Sequence, residues 1–362
     1  MEVINVILTA IGKLVALIVL FGAFLTGTAP TATQLLPQQA TTTTAEFPTA
    51  VAKPTVSTKV AVKPIVQQVP PSPTPTTPTK SQEQINTETR SALVNILCTP
   101  QTGINGISGS GVIVDSRGVI LTNAHVGQYF LLRDYLTPGN IICTVRVGAP
   151  AQERYTAALL YLPPEWITAN ASQLKASQAT GTGENDYAFL LITGRTNQLE
   201  PLPGSFDRLE MDRGYADIGD QMLLAAYPAG FLGGESVQKN LYISSAIAYV
   251  TQLFSFENNR DVDLFSIGGT VVSQGGSSGG AVVRLRDGKL AGIITTATVA
   301  ASTENRDLRA VSLAHIDDSL AAAGKGGIVQ LLLGDLTAKS AGFNATVAPS
   351  LTAQLEAALK GN

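Results

Sequence analysis

Gly275-Gly276-Ser277-Ser278-Gly279-Gly280 sets two hydroxyl side chains between pairs of glycines. Glycine lets the backbone fold tightly behind a small nucleophile, because it enters positive φ with no Cβ to clash. Upstream lies Leu121-Thr122-Asn123-Ala124-His125-Val126, a β-type run that ends in a histidine. Between the two lies Asn185-Asp186-Tyr187-Ala188-Phe189-Leu190-Leu191-Ile192, a carboxylate at the mouth of an apolar run. A base, an acid and a nucleophile therefore follow one another in the order histidine, aspartate, serine. Attack by a serine hydroxyl needs those three groups, and it needs donors for the oxyanion that forms. The chain has only 2 histidines, so an imidazole base is either His125 or His315. His315 follows the strand-like run Ala310-Val311-Ser312-Leu313-Ala314, where a structural role fits better.

These words resemble the trypsin/chymotrypsin clan of serine endopeptidases, and within it the bacterial HtrA type. Gly276-Ser277-Ser278-Gly279-Gly280 fits the family word Gly-x-Ser-Gly-Gly. Thr122-Asn123-Ala124-His125 matches Thr-Ala-Ala-His with Asn123 as the one change, and the Asp186 run resembles Asp-Ile-Ala-Leu-Leu. The resemblance implies His125 as base, Asp186 as its orienting acid and Ser278 as nucleophile. It makes the N–H groups of Gly276 and Ser278 the oxyanion hole. Ser277 takes the slot that is aspartate in trypsin, which argues against activation by a newly cut N-terminus. Val272, six residues before Ser278, falls at the floor of the substrate pocket, with Thr295, Thr296 and Ala297 on its wall. No acid stands at position 272, so cleavage after small or medium apolar residues is expected rather than after Lys or Arg. Tyr227-Pro228-Ala229-Gly230 resembles the Gly-x-Pro-x-Gly word of HtrA-type enzymes.

The resemblance covers about Ala92 to Ile316. It implies an all-β, chymotrypsin-like body of two antiparallel six-stranded barrels, with His125 and Asp186 on the first and Ser278 on the second. The residue pattern agrees. One series of β-type runs covers Ala92 to Cys98, Ser108 to Val114, Val119 to Thr122, Ile141 to Val147, Tyr155 to Leu160 and Tyr187 to Ile192. A second covers Gln221 to Ala226, Leu241 to Val250, Val262 to Ile267, Ala281 to Leu285, Leu290 to Thr296 and Arg309 to Leu313. Short runs with turns between them suggest a sandwich or barrel. The 34 glycines agree with many turns.

The flanks differ from this body. Val3 to Leu25 is apolar apart from Asn5, Thr9 and Lys13, long enough to cross a bilayer core of about 30 Å. It reads as a transmembrane signal-anchor over residues 1–27. The alternative is a signal peptide cut near Thr28-Ala29, which would release a secreted protein. Either reading places the rest outside the cytoplasm, in the periplasm or at the cell surface. Thr26 to Ser81 holds 10 of the 19 prolines and 15 threonines with no hydrophobic period, so 28–80 reads as a disordered stalk. Ser81-Gln82-Glu83-Gln84 reads as a capped helix start, opening a protease-like domain over 81–318. A short helical extension, 319–362, follows, with amphipathic spacing from Leu351 to Leu359. After Ile316 only 46 residues remain, too few for a PDZ domain.

Cys98 and Cys143 are too few for a disulfide scaffold, but one bond fits an exported location. The cysteines and histidines show no ligand spacing, so no metal or other cofactor is expected. Net charge is −3 with 14% charged residues and no basic run, which points away from nucleic acid. The expected partners are a polypeptide substrate and a membrane; the oligomeric state stays open. Two rival functions remain: an inactive protease-like binding module, and a stalked surface protein.

Overall fold

The computed structural model describes residues 63–64, 80–175, 182–256, 261–297 and 305–361. The anchor segment and nearly all of the stalk lie outside them. Among the described residues no helix is long and apolar enough to cross a membrane.

The first sheet closes on itself. Its strands are β2 (Leu93–Pro100), β3 (Ile107–Asp115), β4 (Val119–Thr122), β5 (Ile141–Val147), β6 (Gln152–Tyr161) and β7 (Ala188–Arg195), joined in the order β2-β3-β4-β7-β6-β5. All pairs are antiparallel. Closure removes the free edges that a sheet would otherwise expose. Apolar residues of β2, β4 and β7 are buried on both faces of the sheet, among them Ile96, Ile120, Leu121, Phe189 and Leu190, all fully buried.

The second sheet departs from the six-stranded barrel expected of it. Among the described residues it has eight strands in the order β1-β10-β11-β14-β13-β12-β8-β9, and its hydrogen-bond ladder there ends at β1 and β9. The members are β1 (Lys63–Pro64), β8 (Gln221–Ala226), β9 (Ser244–Tyr249), β10 (Gln252–Ser255), β11 (Leu264–Gly268), β12 (Ala281–Arg284), β13 (Lys289–Ala297) and β14 (Leu308–Ser312). Two strands are additional to the sequence reading, for separate reasons. The run Leu241 to Val250 continues into β10 because the chain changes partners there: Val250 N donates to Asp220 O, and Thr251 N to Ser266 O. No glycine or proline marks that switch. The other strand, β1, comes from the stalk and pairs with Ser255 and Phe254 of β10.

Helices close the ends. Ser81 caps α1 (Gln82–Ser91) with a reciprocal hydrogen-bond pair to Gln84, which satisfies two otherwise free N–H groups. Then come α2 (Ala124–Leu131), α3 (Pro164–Asn170), α4 (Gly234–Lys239), α5 (Leu313–Ala322), α6 (Gly327–Leu332), α7 (Leu336–Thr346) and α8 (Ala348–Lys360). The last two lie on the first barrel. Ser340 Oγ and Asn344 Nδ2 donate to Leu159 O at 2.8 and 2.7 Å, and Thr352 Oγ1 to Leu131 O at 2.9 Å. Leu351, Leu355 and Leu359, one turn apart, are buried on the same face.

β2 and β5 carry Cys98 and Cys143 in direct register, and a disulfide joins them. The bond closes a segment with a sequence separation of 45 residues that contains His125. Removing such a cross-link relaxes the unfolded chain and costs about 2–4 kcal/mol. The Cys98→Ala, Cys143→Ala double variant should lower the urea midpoint accordingly, followed by fluorescence of the single tryptophan, Trp166. An unchanged midpoint would show that the strand pair needs no cross-link.

Candidate active site

β4 ends at Thr122, Asn123 takes the N-cap position, and α2 begins at Ala124. This strand-to-helix turn places His125 in the first turn of α2. Asp186 sits just before β7, the neighbour of β4 in the barrel. The two meet in a two-point contact. His125 N donates to Asp186 Oδ1 at 3.0 Å, and His125 Nδ1 lies 2.8 Å from Asp186 Oδ2. With a carboxylate facing it, Nδ1 carries the proton, and Nε2 is left with its lone pair.

Asn123, the one departure from the family word, has a task here. Its Nδ2 donates to the Asp186 carbonyl at 2.8 Å, which fixes the backbone of the acid to the turn that carries the base. Thr295 supplies a third side-chain partner: its Oγ1 donates to Asp186 Oδ2 at 2.8 Å. Thr295, expected on the wall of a substrate pocket, thus has its hydroxyl engaged with the acid. The register of β13 against β14 slips between Ile294 and Thr296, so Thr295 is the extra residue of a bulge. A bulge re-aims its side chain, and here it aims the hydroxyl at the other barrel.

The glycine-rich loop is pinned to both barrels by its backbone. Gly279 N donates to Ile294 O, and Ile294 N to Gly280 O, at 2.8 and 2.9 Å. From the first barrel, Ser110 N donates to Ser278 O at 2.7 Å, and Ser110 Oγ to Gly276 O at 2.8 Å. Ser110 Oγ in turn accepts from Tyr227 N, and Ser110 O from Thr122 Oγ1. A Cβ on Gly279 would run into the Ser110 carbonyl and lie 2.5 Å from Thr122 Oγ1. Gly276 has φ +90°, and a Cβ there would lie 2.7 Å from Tyr227 O. The backbone around Ser278 is therefore fastened to Ser110 of β3, which also holds the strand end that leads into His125, and to the strand that carries Thr295. Nothing in the sequence words marked Ser110; it reads as an ordinary polar residue of β3.

Among the described residues the N–H groups of Gly276 and Ser278 donate to no acceptor, and neither Ser278 Oγ nor His125 Nε2 has a hydrogen-bond partner. Ser277 points away; its hydroxyl is buried without a partner among the described residues. Val272, expected at a pocket floor, is fully buried in the apolar cluster that includes Leu224, Phe265, Ile294 and Ala310. It therefore belongs to the core of the second sheet rather than to an open pocket. Thr296 and Ala297 pair by backbone with Arg309 and Leu308, and their side chains lie outside the described set. His315 lies apart from His125, paired with Asp263. Among the described residues no cluster of histidine, cysteine, aspartate and glutamate could hold a metal ion.

Burial works against both charges of the His125–Asp186 pair. For Asp186 it pushes the carboxyl up, but the His125 charge, the hydrogen bonds from His125 and that from Thr295 outweigh it and hold the group below the usual carboxylate range. For His125 burial favours the neutral ring, and the Asp186 charge and hydrogen bond more than offset this, so its pKa is raised. An NMR titration should place the His125 midpoint above the ordinary value of about 6.5. In Asp186→Asn the burial effect is left alone, and the midpoint should fall below that value. A His315→Gln sample assigns the two ring signals. A wild-type midpoint at or under the ordinary value would refute the pairing.

Comparison with known proteins adds the family. The sequence model of the trypsin-like peptidase domain matches residues 109–293, which run from β3 through the glycine-rich loop into β13. Two similar solved structures are of Rv3671c from M. tuberculosis. One is the inactive form of a serine-to-alanine mutant, with 17% identity over 67% of this chain and 91% of that one and a TM-score of 0.41. The other is the active form of the protease, with 16% identity over 71% and 93% and the same TM-score of 0.41. A search of curated proteins found no match. The matched segment is more than half of the 362 residues, and the chain belongs to the trypsin-like peptidase domain family, as a trypsin-clan serine protease.

Proposed function

We propose that this chain is an HtrA-type serine endopeptidase that works outside the cytoplasm, tethered to a membrane by residues 1–27. The observation that carries the catalytic part is the His125–Asp186 contact, together with the N–H groups of Gly276 and Ser278, the Ser278 hydroxyl and His125 Nε2, none of which has a hydrogen-bond partner of its own among the described residues. Two amides left open on a loop that is otherwise pinned suit an incoming oxyanion.

In this reading His125 Nε2 takes the Ser278 proton as Oγ attacks the scissile carbonyl. The carbonyl oxygen becomes an oxyanion held by the amides of Gly276 and Ser278. Asp186 balances the imidazolium, and it keeps Nδ1 protonated throughout. The proton passes from Nε2 to the departing amine, which leaves an acyl-enzyme on Ser278. Water then enters, gives its proton to His125, and releases the acid by the reverse steps.

Export is supported by the apolar run Val3 to Leu25 and by the Cys98–Cys143 disulfide, since such bonds persist in oxidising compartments.

A fluorophosphonate probe should label the wild-type chain and not Ser278→Ala. The same change, and His125→Ala, should lower hydrolysis of a peptide library by about 10³- to 10⁶-fold with the melting temperature unchanged. Labelling that survives in Ser278→Ala would discard this assignment of the nucleophile. Absence of labelling in the wild type would favour the binding-module reading.

A further inference from the structure

A second histidine–carboxylate pair reaches Asn185, the residue before Asp186. His315 lies in the first turn of α5, where Ser312 Oγ caps its N–H at 3.0 Å. Its Nδ1 is 3.0 Å from Asp263 Oδ1. Asp263 also accepts from Phe256 N at 2.8 Å and Ser255 Oγ at 3.1 Å. Burial acts to raise the Asp263 carboxyl, but the hydrogen bonds from His315, Phe256 and Ser255 hold it low, as an ionised acceptor. The proton of His315 therefore sits on Nδ1, and the lone pair of Nε2 faces the Asn185 N–H, 3.4 Å away.

One turn further along α5 is Ser319. Its hydroxyl has a single proton, and it is 2.6 Å from Asn185 Oδ1 and 2.8 Å from the Tyr187 hydroxyl. The Asn185 oxygen can only accept, so Ser319 donates to it and accepts from Tyr187. Both neighbours of Asp186 are thus tied to one side chain. Asn185 has φ +54°, a left-handed conformation that a non-glycine residue holds at some cost. Tyr187 is fully buried and stacked on Tyr161. Among the described residues the Asp186 N–H makes one backbone bond, a turn contact with Gly183 O.

We propose that His315 and Ser319 are positioning residues for Asp186. They act through the left-handed Asn185 and through Tyr187, and they hold the carboxylate at the angle that meets His125. The proposal rests on the reading of Asp186 as the partner of a catalytic His125, and it extends the machinery to a helix beyond the second sheet. Neither residue touches the reacting atoms. Their loss should misdirect the carboxylate, which slows the chemical step and leaves substrate binding alone.

The test uses the full chain and the same fluorophosphonate probe, with Ser319→Ala, Ser319→Thr, His315→Phe and His315→Gln. Ser319→Ala and His315→Phe should lower the maximal labelling rate about 10- to 100-fold at unchanged half-saturating probe. They should also shift the downfield proton signal of His125 Nδ1–H. Ser319→Thr keeps a hydroxyl and His315→Gln keeps an acceptor, so both should recover most of the rate. Wild-type rates in folded Ser319→Ala and His315→Phe would overturn the proposal. So would a rate loss that only follows the unfolded fraction, with the His125 signal unmoved. Should His315→Phe fail to fold, the Ser319 pair decides. Failure here is distinct from failure of the catalytic reading, which would show as labelling of Ser278→Ala.

Discussion

The Asp186 carboxylate is a charge placed in the joint between two β-sheets, and most of the site is arranged to make that tolerable. An isolated buried carboxylate is expensive, because it loses its water without replacement. Here the replacement comes from His125 N, His125 Nδ1 and Thr295 Oγ1. The donors arise from α2 and from the bulge of β13, so the charge can be buried only when both sheets are folded and docked. The same bonds fix the imidazole as the tautomer that leaves Nε2 open. Stability and chemistry draw on one set of contacts.

The second joint is at Ser110. Its main-chain and side-chain groups meet Ser278 O, Gly276 O, Tyr227 N and Thr122 Oγ1. A fully engaged buried hydroxyl is a rigid spacer, because any shift breaks several bonds at once. Glycine at 279 lets the loop come within contact of that strand. The outcome is a loop whose carbonyls are spent on holding it in place, while the amides of Gly276 and Ser278 stay free.

The C-terminal helices link these joints to the rest of the body. α7 and α8 cover the first barrel, and α5 leaves β14 to reach the turn before Asp186. The chain crosses from the second sheet back to the first, so a segment distant in sequence settles beside the acid. This explains why a trypsin-like body here carries a helical tail that is packed rather than appended.

The residues proposed to carry the chemistry each sit in a short word whose members are adjacent in the chain, and so could be named before any coordinates: a histidine after a β run, an acid before one, a serine among glycines. Six strands of the first barrel were legible for the same reason, as short β-type runs closed by turns. The break between β9 and β10 was not, since a partner switch at Val250 and Thr251 needs no special residue. The roles of Ser110, Asn123, Thr295, His315 and Ser319 escaped for one common reason. Each depends on a contact across tens to more than a hundred residues of chain, and hydrogen bonds of that range leave no periodicity to read. Amino-acid order alone named the groups proposed to react. Docking of the sheets and the bulge in β13 settled what each of them faces, because the direction of a side chain is a property of packed neighbours and not of the local word.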